Sequence, residues 1–128
     1  SVEAMNTTNS NTNITLLARS APYGSDAAKL CLDISIAAAV FEQTVTYIFL
    51  DDGVYQVLNN QDSSAINSKA LGKGLEALSL YGIEKLYADE DSLRERNLSL
   101  NQLLPQVELV SAEAIKIFIS QSKSVMTL

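Results

Sequence analysis

The chain has 128 residues, 47% of them hydrophobic, with one cysteine, no histidine and a formal net charge of -6. That length suits one domain with its own core, and the acidity excludes a phosphate-backbone binder, which needs a basic stripe. One cysteine cannot close an internal disulfide, the missing histidine removes zinc and most transition-metal sites, and no apolar run reaches the ~18 residues of a membrane span.

Residues 1–12 are polar, Asn-rich and aperiodic, so they bury too little apolar surface to offset the entropy of ordering, and a flexible tail is expected there. Met5 can serve as the native start, with residues 1–4 an addition ahead of it. No apolar leader follows, which together with the free thiol predicts a reducing, cytoplasmic setting. One domain is then expected over 13–128. Three Asn-x-Ser/Thr matches, at Asn6, Asn13 and Asn97, carry no weight in an Asn-rich chain without a secretory signal.

From residue 13 short apolar runs alternate with helical patterns. The periodicity predicts strand one over 14–18, helix one over 25–41, strand two over 45–50, a helical turn over 52–58 and a polar loop over 61–68. A helix over 70–81 follows, then strand three over 83–88, a short helix over 92–97, strand four over 107–110, a last helix over 111–121 and strand five over 124–128. Gly82 suits a left-handed helix end, and Asp91 or Ser92 suits a cap for the turn that begins at Leu93. Strands separated by helix-length crossovers make a parallel sheet, with right-handed crossovers and helices on both faces. The expected fold is therefore a three-layer α/β/α sandwich around a five-stranded parallel sheet, and there is no internal repeat.

Helix one is apolar nearly all round. Ala27, Leu30, Cys31, Ile34, Ala38 and Phe41 follow one expected core face, while Leu32, Ile36, Ala37, Ala39 and Val40 spread onto the others. A helix buried on one side carries a polar back, so either the sheet covers this helix well or its outer face, including Ile36, docks on another subunit. Cys31 falls on the expected core face two turns into the helix, where a thiol acts as a small apolar residue rather than a nucleophile.

Asp51 and Asp52 end strand two ahead of Gly53, Val54 and Tyr55. A carboxylate pair there suits acid/base or magnesium chemistry, but adjacent residues diverge on leaving a strand, which favours one of them as a cap for the following turn. Gly72-Lys73-Gly74 lacks the spacing of a phosphate loop and lies within a helical pattern, where it is expected to be an irregularity near the helix start. The loop from Arg19 through Pro22 and Tyr23 to Ser25 offers either an anion site at the start of helix one or an ordinary connection capped by Ser25. Ligands of α/β sheets bind at the carboxyl ends of the strands. That geometry makes Pro22, Tyr23, Asp51, Asp52, Tyr55, Tyr87, Asp89 and Arg94 the candidate pocket or interface residues. Nothing in the sequence calls for a metal or an organic cofactor.

Three segments in order carry a resemblance: Ser20-Ala21-Pro22-Tyr23-Gly24 after strand one; Phe49-Leu50-Asp51-Asp52-Gly53-Val54-Tyr55-Gln56-Val57-Leu58 after strand two; and Leu78-Ser79-Leu80-Tyr81-Gly82-Ile83-Glu84 followed by Ser92-Leu93-Arg94-Glu95-Arg96-Asn97-Leu98. They resemble the DsrE/DsrF family, more narrowly its TusC (DsrF-like) branch, from about Ile14 to the end of the sequence. The resemblance implies a subunit of a heterohexameric sulfur-relay assembly, beside DsrE/TusD-type and DsrH/TusB-type subunits. Such an assembly passes persulfide sulfur towards 2-thiolation of the tRNA wobble uridine or, in sulfur oxidisers, towards sulfur oxidation. It further implies that the relay cysteine of the DsrE/TusD-type subunit corresponds here to Ala88 or Asp89. Neither can attack or carry sulfur, so a non-catalytic structural partner is expected, without direct contact to nucleic acid or membrane. The acidic run Asp89, Glu90 and Asp91 would raise the pKa of a neighbouring thiol, and a cysteine restored at Ala88 or Asp89 is expected to be partly exposed but slow. Two rival expectations are a homo-oligomeric binding module of this fold and a flavodoxin-like ligand-binding enzyme using the loops after strands one and two.

Overall fold

The computed structural model describes residues 13–59 and 66–128. The expected tail over 1–12 lies outside them, as do residues 61–65 of the expected polar loop. The elements are β1 (Asn13–Ala18), α1 (Ala27–Val40), β2 (Thr44–Phe49), a 3-10 turn (Asp51–Val57), α2 (Ile66–Glu76) continued by a 3-10 turn (Ala77–Tyr81), and β3 (Leu86–Asp89). They continue with α3 (Glu90–Glu95), a short turn (Leu100–Gln102), β4 (Val107–Val110), α4 (Ala112–Gln121) and β5 (Ser124–Thr127). The strands form one parallel sheet in the order β4-β3-β2-β1-β5.

That order decides which face each helix covers. From β1 to β4 the chain steps in one direction, so right-handed crossovers lie on one face; the return from β4 to β5 runs the other way and must cross the opposite face. The packing agrees. On the first face Ile14, Leu16 and Ala18 of β1 and Tyr47 and Phe49 of β2 meet Cys31 and Leu32 of α1, Val54 and Val57 of the following turn, and Leu71 and Leu75 of α2. On the second, Ile48 and Val110 meet Ile115 of α4, with Leu17, Tyr87, Phe118 and Ile119 half-buried around them. This is the expected three-layer sandwich, with one outer layer only a single helix wide.

Several boundaries differ from expectation for local reasons. β3 starts at Leu86 rather than Ile83, because Gly82, left-handed at φ 87°, ends the preceding turn and the Ile83 N–H is spent on the Leu78 carbonyl at 3.1 Å. The Gly72-Lys73-Gly74 run lies inside a regular helix that already begins at Ile66, so it is no irregularity at a helix start. A Cβ on Gly74 would meet Leu32 Cδ2 at 2.6 Å, and the glycine lets α1 and α2 approach. The buried side of α1 is Ala28, Cys31, Leu32, Ser35 and Ala38, which shares Cys31 and Ala38 with the face expected but is rotated from it; Leu30 and Phe41 point to solvent. An all-apolar helix carries no facing signal, and Ser35 tolerates burial by donating to the Leu32 carbonyl at 2.6 Å.

Gly53 is the tightest point of the chain. A Cβ there would lie 1.9 Å from the Ala18 carbonyl oxygen, the group that accepts the Leu50 N–H at 3.0 Å and couples the ends of β1 and β2. Backbone cannot move aside as a side chain can. Gly53→Ala is expected to cost about 3 kcal/mol, whereas Gly74→Ala, opposed only by a leucine tip and helped by helix propensity, stays within about 1 kcal/mol. Urea midpoints at constant slope measure both, and equal shifts would contradict the assignment.

Candidate functional site

β1, β2 and β3 all end at the same edge of the sheet, and the polar side chains that follow them interlock. Asp89 closes β3 and caps α3: its Oδ2 accepts from the Ser92 N–H at 3.2 Å and from the Ser92 hydroxyl at 2.6 Å. Ser92 Oγ in turn accepts the Asp51 N–H at 2.8 Å, so one buried hydroxyl joins the ends of β2 and β3. Asp51 adopts a left-handed φ of 53°, a conformation uncommon for residues other than glycine that asparagine and aspartate tolerate best. Its carboxylate accepts from Arg19 Nε at 2.7 Å, and Asp52 accepts from Arg96 Nη2 at 3.1 Å and Nε at 3.2 Å. Arg96 also donates from Nη1 to the Ser92 carbonyl at 3.1 Å. Neither aspartate caps the turn, contrary to expectation, because both are drawn outward to arginines.

Asp51, Asp52 and Asp89 are thus brought together, while the other candidates lie apart. Arg94 pairs with Asp91 on the outer side of α3. Tyr87 turns to the second face of the sheet, where it meets Phe118 at a ring separation of 5.1 Å. Tyr55 is half-buried and Tyr23 exposed. Pro22 lines a cavity of about 270 Å3 with Ser25, Asp26, Lys29, Leu32 and Leu71, below the roughly 300–1,000 Å3 of drug-sized ligand sites. Ser25 contributes to the start of α1 through a 3.3 Å bond from the Ala27 N–H. Ile36 is half-buried against the core and does not form the outward face of α1. The expectation of partial exposure after β3 also fails: Ala88 is wholly buried, Asp89 is 9% exposed, and the first open position is Glu90. Ala88 points into the helix-covered core, and the capping bonds turn Asp89 inward.

Sequence reasoning missed Arg96, Gln56 and the pairing of Arg19 with Asp51, and it expected the cap at Asp91 or Ser92, whereas Asp89 is the cap and Ser92 the hub. Gln56 is buried and donates to the Ser20 carbonyl at 2.8 Å, fixing the loop after β1, while its Oε1 has no partner among the described residues. A polar residue between valines in the run Val54 to Val57 was the available signal. Cys31 is 1% exposed on the buried side of α1, and burial pushes its thiol pKa up, opposed by a loose contact with the Tyr47 phenol. Burial, and then the Cys31 thiol, raise the Tyr47 phenol well above its ordinary value. The cluster at the carboxyl edge therefore offers hydrogen bonds and paired charges but no thiol, and no group of metal-binding side chains occurs among the described residues.

A parallel α/β sandwich with ligand-type polar groups at its carboxyl edge defines the class. Within it, the chain belongs to the DsrE/DsrF-like family, whose model matches residues 12–128. It is 33% identical over 113 residues to a Protein TusC homolog of Pseudomonas aeruginosa, covering 88% of this chain and 95% of that protein. It is 35% identical over 114 residues to a Protein TusC homolog of Vibrio parahaemolyticus, covering 89% and 97%. It is 39% identical over 88 residues to the intracellular sulfur oxidation protein DsrF of Allochromatium vinosum, covering 69% and 65%. The crystal structure of the ychN protein from E. coli superposes with a TM-score of 0.78 at 22% identity, covering 91% of this chain and 99% of that one, a likeness of fold.

Ser92→Ala leaves the Asp51 N–H without its acceptor and Asp89 with one donor fewer, and is expected to cost about 2 kcal/mol in urea unfolding. A loss below a few tenths would show that the hydroxyl does not join the strands. Cys31 is expected to resist iodoacetamide in the native protein and to react fully once unfolded, read by intact mass.

Proposed function

We propose that this chain is a non-catalytic subunit of a cytoplasmic sulfur-relay assembly. It completes a hetero-oligomer with DsrE/TusD-type and DsrH/TusB-type subunits and shapes the surroundings of a neighbour's persulfide-carrying cysteine, in 2-thiolation of the tRNA wobble uridine. The observation that carries this reading is the carboxyl edge after β3, where Ala88 is buried and Asp89 is committed to capping. Persulfide transfer requires a thiolate that can attack and then release sulfur, and the only cysteine in the sequence is buried on another element with its pKa raised. Similarity to TusC homologs over most of the chain supports the tRNA branch of the family.

The identity with DsrF over 88 residues supports a second reading, a subunit serving sulfur oxidation with the same non-catalytic role. The two share a mechanism and differ in the final acceptor. A deletion strain separates them: loss of 2-thiouridine from tRNA, restored by the wild-type chain, supports the first reading, and unchanged thiolation with impaired sulfur oxidation supports the second.

The non-catalytic role has its own test. Cys31→Ser, a near-isosteric change at a buried site, is expected to restore tRNA thiolation to within about twofold of wild type. If the variant is folded and assembled but thiolation is abolished, Cys31 carries sulfur and the subunit is not a passive one.

A further inference from the structure

The seam between β2 and β3 is the shortest in the sheet. β1 and β2 share six paired positions and β3 and β4 share four, but β2 and β3 share only Ile48–Tyr87 and Phe49–Ala88. In a parallel sheet each residue turns both its N–H and its carbonyl to one neighbouring strand, and the next residue turns to the other. The Leu50 N–H goes to the Ala18 carbonyl of β1, so Thr44, Thr46 and Ile48 face β1 while Val45, Tyr47 and Phe49 face β3. Across the seam, the Leu86 N–H goes to the Gln106 carbonyl just ahead of β4, which turns the Lys85 backbone towards β2. Continued in register, the ladder would join the Tyr47 N–H to the Lys85 carbonyl and the Lys85 N–H to the Val45 carbonyl. Neither bond is made, and these four groups have no other partner among the described residues. A groove of about 390 Å3 opens there instead, lined by residues 44–46 on one side and 82–85 on the other.

The two strands can part or close only at this end. At their carboxyl ends the Ser92 hydroxyl holds both, and behind the groove Ile83 is anchored in the core with its N–H on the Leu78 carbonyl. Between these fixed points Lys85 is exposed and is drawn away from β2 by one ion pair, its Nζ on Glu108 Oε2 of β4 at 2.7 Å. One exposed ion pair and two backbone hydrogen bonds are effects of similar small size, so the open and closed arrangements lie close in free energy. We propose that residues 84–85 are a strap that closes on β2. In closing, the Lys85–Glu108 pair is released, β3 gains the pairs Thr46–Lys85 and Tyr47–Leu86, and the groove is lost. The ion pair is the latch that keeps the groove open, and the strap is its gate.

Amide hydrogen exchange and 15N relaxation dispersion on the full chain test this. The Tyr47 amide is expected to exchange at least about tenfold faster than the Phe49 amide, although its side chain is wholly buried, and Tyr47 and Lys85 are expected to show dispersion with one common rate. Lys85→Ala and Glu108→Ala each remove the latch and leave every backbone group in place, so each is expected to slow Tyr47 exchange by about fivefold or more relative to Phe49. Protection of Tyr47 equal to that of Phe49 in the wild-type chain shows the ladder already closed and overturns the proposal. An unprotected Tyr47 without dispersion, unmoved by both variants, shows a fixed notch and overturns it equally. A response to only one of the two variants overturns the ion pair as the latch.

Discussion

The hydroxyl of Ser92 is the bond on which the functional edge depends. It accepts from the backbone after β2 and donates to the carboxylate that ends β3, so two neighbouring strands end in one closed arrangement. With Ser92 satisfied, Asp51 is held in its left-handed turn, its carboxylate swings towards Arg19 and the following Asp52 towards Arg96. The exposed ion pairs contribute little to stability by themselves, and their work is to fix the outline of the edge. The hydroxyl is the only member of the set that is fully removed from water and bonded in both directions.

Gly53 supplies the complementary constraint from below. The chain leaving β2 must pass close over the end of β1, and only a residue without a Cβ fits above the Ala18 carbonyl. Between them, Gly53 and Ser92 set the ends of the three central strands. The neighbouring loop is secured separately, by the buried Gln56 amide on the Ser20 carbonyl.

The strand and helix order was legible because parallel strands are short apolar runs bounded by polar turns, and the crossovers have helical period. β4 matched residue for residue, and Gly82 ended its turn left-handed as its position after an apolar run implied. The facing of α1 was not legible, since Leu30 and Phe41 are as apolar as Leu32 and only the sheet beneath distinguishes them. At the site, the carboxylates were visible but not their partners. Arg19 and Asp51 are 32 residues apart, Arg96 and Asp52 are 44, and no local pattern links residues that meet only when strands align. Asp89 read as part of an acidic run, whereas the capping geometry separates it from Glu90 and Asp91 by turning it inward.

The pairing of β5 with β1 joins segments more than a hundred residues apart, with Ile14 opposite Ser124 and the Leu128 carbonyl accepting from the Arg19 N–H at 3.0 Å. Every other strand pair is closed by one crossover, but this one must wait until the chain has traversed the whole sheet, a slow closure by its length. During that interval β1 presents a bare edge of backbone donors and acceptors. The equivalent strand of a neighbouring molecule matches that edge as well as the chain's own, so strand exchange between copies is the misassembly to which this topology is exposed at high concentration.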